Sequence, residues 1–232
     1  MRKTNDRQQK IENEWISTLE HIENAVSKLL WNRYLFREFM DIVEKNPNLP
    51  ANNFLIVWIW ENYLLNAAIG VRRMVDRDNR SASLYLLLKG IKENPEILSR
   101  GRYTELFKDS GFANDYNYIN GCFDRLVGKG KSYIDPEDVE KDIELLLKIR
   151  ADKLVTYVDK TIAHLDKKKI KKIPTIKDLD DSIDLLEKLV QKYYPIFHAA
   201  SIGLLPKEQV PWKNIFKIPW ISREKGQRNE RS

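Results

Sequence analysis

Cysteine is nearly missing from this chain of 232 residues: Cys122 is the only one. A single thiol forms no intrachain disulfide, and no cysteine–histidine cluster has the spacing of a zinc site. Cys122 reads either as a small half-buried hydrophobe or as a nucleophile, and the first is the commoner fate. Glycine and proline are scarce, at nine each. Few breakers among many Leu, Ile, Lys and Glu favour long helices over strands joined by turns. Long hydrophobic runs are absent too. The richest, Phe54 to Trp60, covers seven residues, whereas a membrane span needs about twenty. The start, MRKTNDRQQK, is too polar for a signal peptide. These absences predict a cytoplasmic protein with no membrane partner and no bound cofactor or metal.

What is present suits a folded helical domain. Hydrophobic residues make up 42% and charged residues 32%, enough apolar material for a core. The net charge of +6 permits nucleic-acid binding without requiring it.

Periodicity divides the chain. Ile11, Trp15, Leu19, Ile22, Val26 and Leu29 recur at three- and four-residue steps, so a helix covers about residues 5–30 or reaches Lys45. The turn Asn46-Pro47-Asn48-Leu49-Pro50 closes an N-terminal helical arm over 1–50. A second helix, about 52–75, begins apolar on every side from Phe54 to Trp60. This predicts a central helix buried all round, with Trp58 and Trp60 in the core rather than on a stacking platform. Ser81 is a candidate N-cap for a third helix over about 82–93. Residues 94–134 are punctuated by glycines and read as short helices. Gly128-Lys129-Gly130-Lys131-Ser132 lacks the leading glycine and preceding strand of a phosphate loop.

Asp135-Pro136-Glu137-Asp138 is the clearest helix start, with a cap, a first-turn proline and acids that suit the dipole. That helix is expected to reach about Asp166. A lysine-rich turn follows, then a helix opened by Thr175 with Asp178 as a capping box, which Pro195 should end or kink. The prediction is an all-α helical bundle with a long antiparallel helical hairpin in its C-terminal half. Its bundle domain is placed at 51–203, and a tail at 204–232 with a disordered end.

The residues that could carry chemistry are few. Of three histidines, His21, His164 and His198, His164 has the most suggestive surroundings. Lys153, Tyr157, Lys160 and His164 follow at steps of four, three and four and share a helix face. An imidazole beside ammonium groups is held neutral, which suits a general base. A surface histidine interacting with the helix end and Asp166 fits the same spacing. Lys167, Lys168 and Lys169 could hold a phosphate backbone or simply solvate a turn. Arg72 and Arg73, with Asp76 nearby, read either as a solvated helix end with a local ion pair or as an anion clamp.

The segment from Ala151 through Asp159, Lys160, Ala163, His164 and Asp166, then Pro174-Thr175 and an amphipathic helix, resembles the HEPN superfamily. The closest likeness is to small HEPN proteins related to abortive-infection components. The run Val71-Arg72-Arg73-Met74-Val75-Asp76 resembles the first helical half of such proteins, so the likeness covers roughly residues 50–200. The resemblance implies metal-independent RNA cleavage at a homodimer interface by an arginine and a histidine. His164 would act as base or acid on a ribose 2′-hydroxyl, and an arginine would stabilise the charged phosphorane. Asp159, Asp166 and Tyr157 would support the site, and Lys153, Lys160 and Lys167–Lys169 would hold RNA. The pattern departs at one place: the family's arginine falls on Val158. Arg150 is fourteen residues before His164, about 21 Å along a helix, too far to replace it. Two outcomes follow. Arg72 or Arg73 supplies the charge, from the same or a second subunit, in a defence or toxin–antitoxin ribonuclease. Otherwise the chain is a non-cleaving helical interaction module that binds RNA or a protein partner such as an antitoxin.

Overall fold

A computed structural model of the chain describes residues 2–50, 52–151, 154, 157, 158, 175–205 and 211–218. Among them there are helices and no strand, so the protein is an all-α helical bundle. Helix α1 spans Arg2–Lys45, α2 Phe54–Met74, α3 Leu84–Glu93, α4 Arg100–Glu105, α5 Tyr116–Val127, α6 Pro136–Ala151 and α7 Ile176–His198. Short 3-10 turns cover Pro95–Leu98 and Trp212–Lys217.

The caps are largely those read from local sequence. At Thr175 the hydroxyl accepts from the Asp178 backbone N–H while the Asp178 carboxylate accepts from the Thr175 N–H, closing a full capping box. Asp135 Oδ1 accepts from the Glu137 N–H at 2.9 Å ahead of α6. The cap of α3 is Ser83, two residues past the expected Ser81. Ser83 is fully buried, accepts from Leu86 N–H and donates to the Asp76 carbonyl at 2.7 Å. Ser81 instead donates to the Asp76 carboxylate. Pro195 does not end α7, which continues to His198 and stops where Ala199 turns left-handed at φ 51. The missing proline N–H falls in the last turn, where one intrahelical bond is lost.

One core cluster joins the helices. Helix α1 contributes Leu19, Ile22, Val26 and Leu30, packed with Ala67 and Val71 of α2, Leu84 and Leu88 of α3, Val139 of α6 and Ile183 and Val190 of α7. Residues 1–50, expected as an arm, thus contain a helix whose apolar stripe lies in the same core as the rest. Helix α1 packs closely on glycines of two neighbouring helices, against the end of a flexible leucine at one and a rigid indole at the other. A Cβ on Gly70 would come within 2.6 Å of Leu29, and one on Gly90 within 2.9 Å of the Trp15 indole nitrogen.

Helices α6 and α7 run antiparallel. Asp142, near the start of α6, accepts from Tyr193 Oη at 2.7 Å and Lys192 Nζ at 2.6 Å near the end of α7. At the other end, Leu154 and Tyr157 share a small cavity with Thr175 and Leu179, where α7 begins. The lysine-rich turn between them lies outside the described residues, as does 219–232, whose end was expected to be disordered.

Helix α2 corrects one expectation. Its buried residues, Ile56, Tyr63, Ala67, Ala68, Val71 and Met74, form a single stripe. Phe54 is 83% exposed, Trp58 52%, and Trp60 and Val57 are also exposed. The start of α2 is therefore an apolar face open to solvent, and Trp58 and Trp60 are not core residues. Composition says that a helix could be buried on every side; only neighbours decide whether it is. With 21 residues, α2 is also the one helix among the described residues long and apolar enough to cross a membrane. Its Tyr63–Met74 stripe is committed to the bundle core.

Candidate functional site

The end of α2 and the turn after it hold the arginines singled out by sequence. Arg72 is half-buried and Arg73 exposed. The chain then bends around Asp76, whose carboxylate accepts from the Asp78 N–H at 3.1 Å and the Ser81 hydroxyl at 3.0 Å. Burial pushes this carboxyl up, but those hydrogen bonds, one from the Arg77 N–H and the nearby Arg72 charge outweigh it. The net result is a carboxyl held below its ordinary range. Asp76 thus organises the turn that leads into α3. Arg77 stacks over Tyr85, 5.1 Å from its centroid, and Arg80 pairs with Asp78 at 2.6 Å.

Farther back along α2, Trp60, Leu64 and Ala68 line a cavity of about 110 Å³ with Leu154, Tyr157, Thr175 and Leu179. This places Tyr157 against the middle of α2. Arg72 lies one helical turn beyond Ala68, about 6 Å along the axis. Val158, where the family's arginine falls, is 2% exposed and belongs to the core cluster. The other candidates, His164, Lys153, Lys160, Lys167, Lys168, Lys169, Asp159 and Asp166, lie outside the described residues. Among the described residues, no group of three His, Cys, Asp or Glu side chains could hold a metal ion.

The family HEPN_AbiU2, described as AbiU2, matches residues 12–206. The chain belongs to it. No curated protein and no solved structure match. The match runs from within α1 through α7 and takes in the His164 segment.

An arginine–histidine neighbourhood that the spacing of the sequence did not reveal sits at the opposite end of α7 in this HEPN chain. Arg102 of α4 forms an ion pair with Glu12 of α1, donates to the Ile196 carbonyl at 2.8 Å and lies over the Phe197 ring. His198 is close by, its ring 4.4 Å from that of Tyr194. Its Nε2 is buried with no hydrogen-bond partner. Burial first, then the Arg102 charge, lower its pKa against a weaker opposing pull from Glu20. Arg102 and Glu12 also line a polar cavity of about 600 Å³ with Ser99, Glu105 and Lys108. Some ninety residues separate Arg102 from either partner, so no local motif announces the cluster.

Proposed function

We propose that the chain is an RNA-associated HEPN protein of an abortive-infection defence system. The family match over residues 12–206, which includes the Asp159-Lys160 and Ala163-His164 positions, carries this reading. Within it, His164 moves the proton of a ribose 2′-hydroxyl, and Lys153, Lys160 and Lys167–Lys169 hold the phosphate backbone. The guanidinium for the phosphorane comes from outside the motif, because position 158 carries valine and faces the core. Arg73, exposed at the end of α2, is the arginine assigned to that task, delivered by a second copy, with Arg72 beside it.

A second reading has an observation in its favour. A buried valine at the family's arginine position is what a member that has given up cleavage would carry. Such a chain would be a helical interaction module, binding RNA, an antitoxin or another protein without cutting.

Metal-free incubation with mixed RNA between about pH 5 and 9 separates them. The nuclease reading expects cleavage that disappears in His164→Ala and falls sharply in Arg73→Ala. RNA that stays intact with wild type, yet is retained in a salt-dependent mobility shift, leaves the module. The absence of both cleavage and retention rejects the RNA association itself.

A further inference from the structure

The hairpin of α1 and α2 ends in a tip without charge. Between Lys45 and Glu61 the sequence holds no Asp, Glu, Lys or Arg, in a chain of which 32% is charged. What the tip presents instead is apolar: Leu49 in the turn, then Phe54, Leu55 and Trp58 at the start of α2, all exposed. Its backbone is paired from within. Asn46 Oδ1 accepts from the Asn48 N–H at 3.1 Å, and Asn53 Oδ1 from the Leu55 N–H at 3.0 Å. The Leu49 and Asn53 N–H groups donate to the carbonyls of Asn46 and Pro50, and Pro47 and Pro50 have no N–H to satisfy. Beside the tip opens a groove of about 890 Å³, floored by Phe36, Phe39 and Ile56 and walled by Trp212 and Phe216.

We propose that this tip docks the protein onto a phospholipid bilayer, entering the interfacial layer without crossing it. The chemistry favours lipid over a protein partner. A bilayer rejects charged side chains and unpaired backbone groups; the tip has none of the first, and its turn pairs the N–H groups named above. A protein contact instead rings its apolar centre with a polar rim and about ten hydrogen bonds, for which this tip offers few groups. Depth agrees as well. Phe54 to Trp60 rises about 9 Å along the helix axis, and interfacial segments sink about 5–10 Å. The run that is too short to span a membrane is thus long enough to enter its surface. Beyond it, the Tyr63–Met74 stripe lies in the bundle core, which holds the rest of α2 out of the bilayer. An indole at that depth sits where its apolar body and polar N–H are both matched. Fluid acyl chains also fill an apolar groove that a rigid surface would leave empty. Charge supplies little of the attraction, because Lys213 at the rim is paired with Glu38 and Lys45 with Asp41.

The inference is independent of any action on RNA. Its test is co-sedimentation of the full chain with phosphatidylcholine–phosphatidylglycerol vesicles at about 0.1 M and about 0.5 M salt, with circular dichroism to check the fold. Wild type should be retained at both salt concentrations. Trp58→Glu and Phe54→Glu should each lower the partition coefficient about tenfold or more with an unchanged spectrum. Phe112→Glu, at an exposed aromatic outside the tip, should leave it unaltered. Wild type that stays in the supernatant overturns the proposal. Retention that high salt abolishes, or that both glutamates leave intact, would assign the binding to the basic surface and equally overturn it. Sedimentation velocity without lipid covers the remaining occupants. Self-association lost in Trp58→Glu, by protein that ignores vesicles, would assign the tip to a protein contact and overturn the lipid reading.

Discussion

Tyr193→Phe isolates the contact that ties α6 to α7. Tyr193 is fully buried, and its hydroxyl donates to Asp142 at 2.7 Å. Burial first, then the carboxylate, push the phenol's pKa far up, so the group remains a donor at any working pH. The phenylalanine ring fills nearly the same space, so cavity formation contributes little. What is lost is one buried hydrogen bond to a charged acceptor, worth about 1.5–3 kcal/mol. Asp142 keeps Lys192 at 2.6 Å, which holds the loss below that of stranding the carboxylate. For a domain of this length the loss should lower Tm by about 3–12 °C, or the urea midpoint by about 0.5–1 M at unchanged slope. Lys192→Met removes the more exposed partner and should cost less than ~1 kcal/mol. Asp142→Ala should cost more than either, since it orphans the buried hydroxyl. Urea unfolding followed by circular dichroism measures all three. A Tyr193→Phe midpoint indistinguishable from wild type, or a larger loss from Lys192→Met, would refute the argument that this hydroxyl carries the helix pairing.

Other consequences are equally direct. Val158→Arg, which restores the family's arginine, should destabilise the fold by about 3–5 kcal/mol by burying an unpaired cation; a variant as stable as wild type would mean that position 158 has an outlet to solvent. Gly90→Ala drives a methyl against the Trp15 ring and should cost about 1–2 kcal/mol despite the gain in helix propensity. Gly101→Ala meets nothing within 4 Å and should stabilise by about 0.4–1 kcal/mol; thermal melts of the pair decide whether close approach to α1 is what selects glycine at 90. His198 is held neutral by burial and then by Arg102. Its folded pKa therefore lies below the unfolded one, and the unfolded chain binds the extra proton. Its contribution is intact above the ordinary histidine value and is lost as pH falls through that value toward the folded pKa. His198→Leu should flatten the stability profile between about pH 7 and 5 relative to wild type; parallel profiles would show that Nε2 finds a proton acceptor.

Much of the framework was legible because it is local. The Thr175–Asp178 box, the Asp135-Pro136 start and the three- and four-residue recurrence of Trp15, Leu19, Ile22 and Val26 each depend on residues within a turn or two. The same holds for the family likeness, which rests on a short run around His164 and was extended by the match to residues 12–206. Local reading misplaced the α3 cap by two residues, since Ser81 and Ser83 both suit the role. The choice falls on Ser83 because the Asp76 turn takes Ser81 for its own carboxylate.

The sequence alone determined that the chain is helical, where its main helices start and which stripe of α1 is apolar, since backbone propensity, capping and 3.6-residue periodicity are short-range properties. Tertiary structure alone decided that Phe54 and Trp58 face solvent while Val158 faces the core. It also joined Arg102 to Glu12 and brought it near His198, and set Asp142 against Tyr193. Burial and pairing of that kind depend on which surface arrives from a distant part of the chain, and no window of neighbouring residues contains that information.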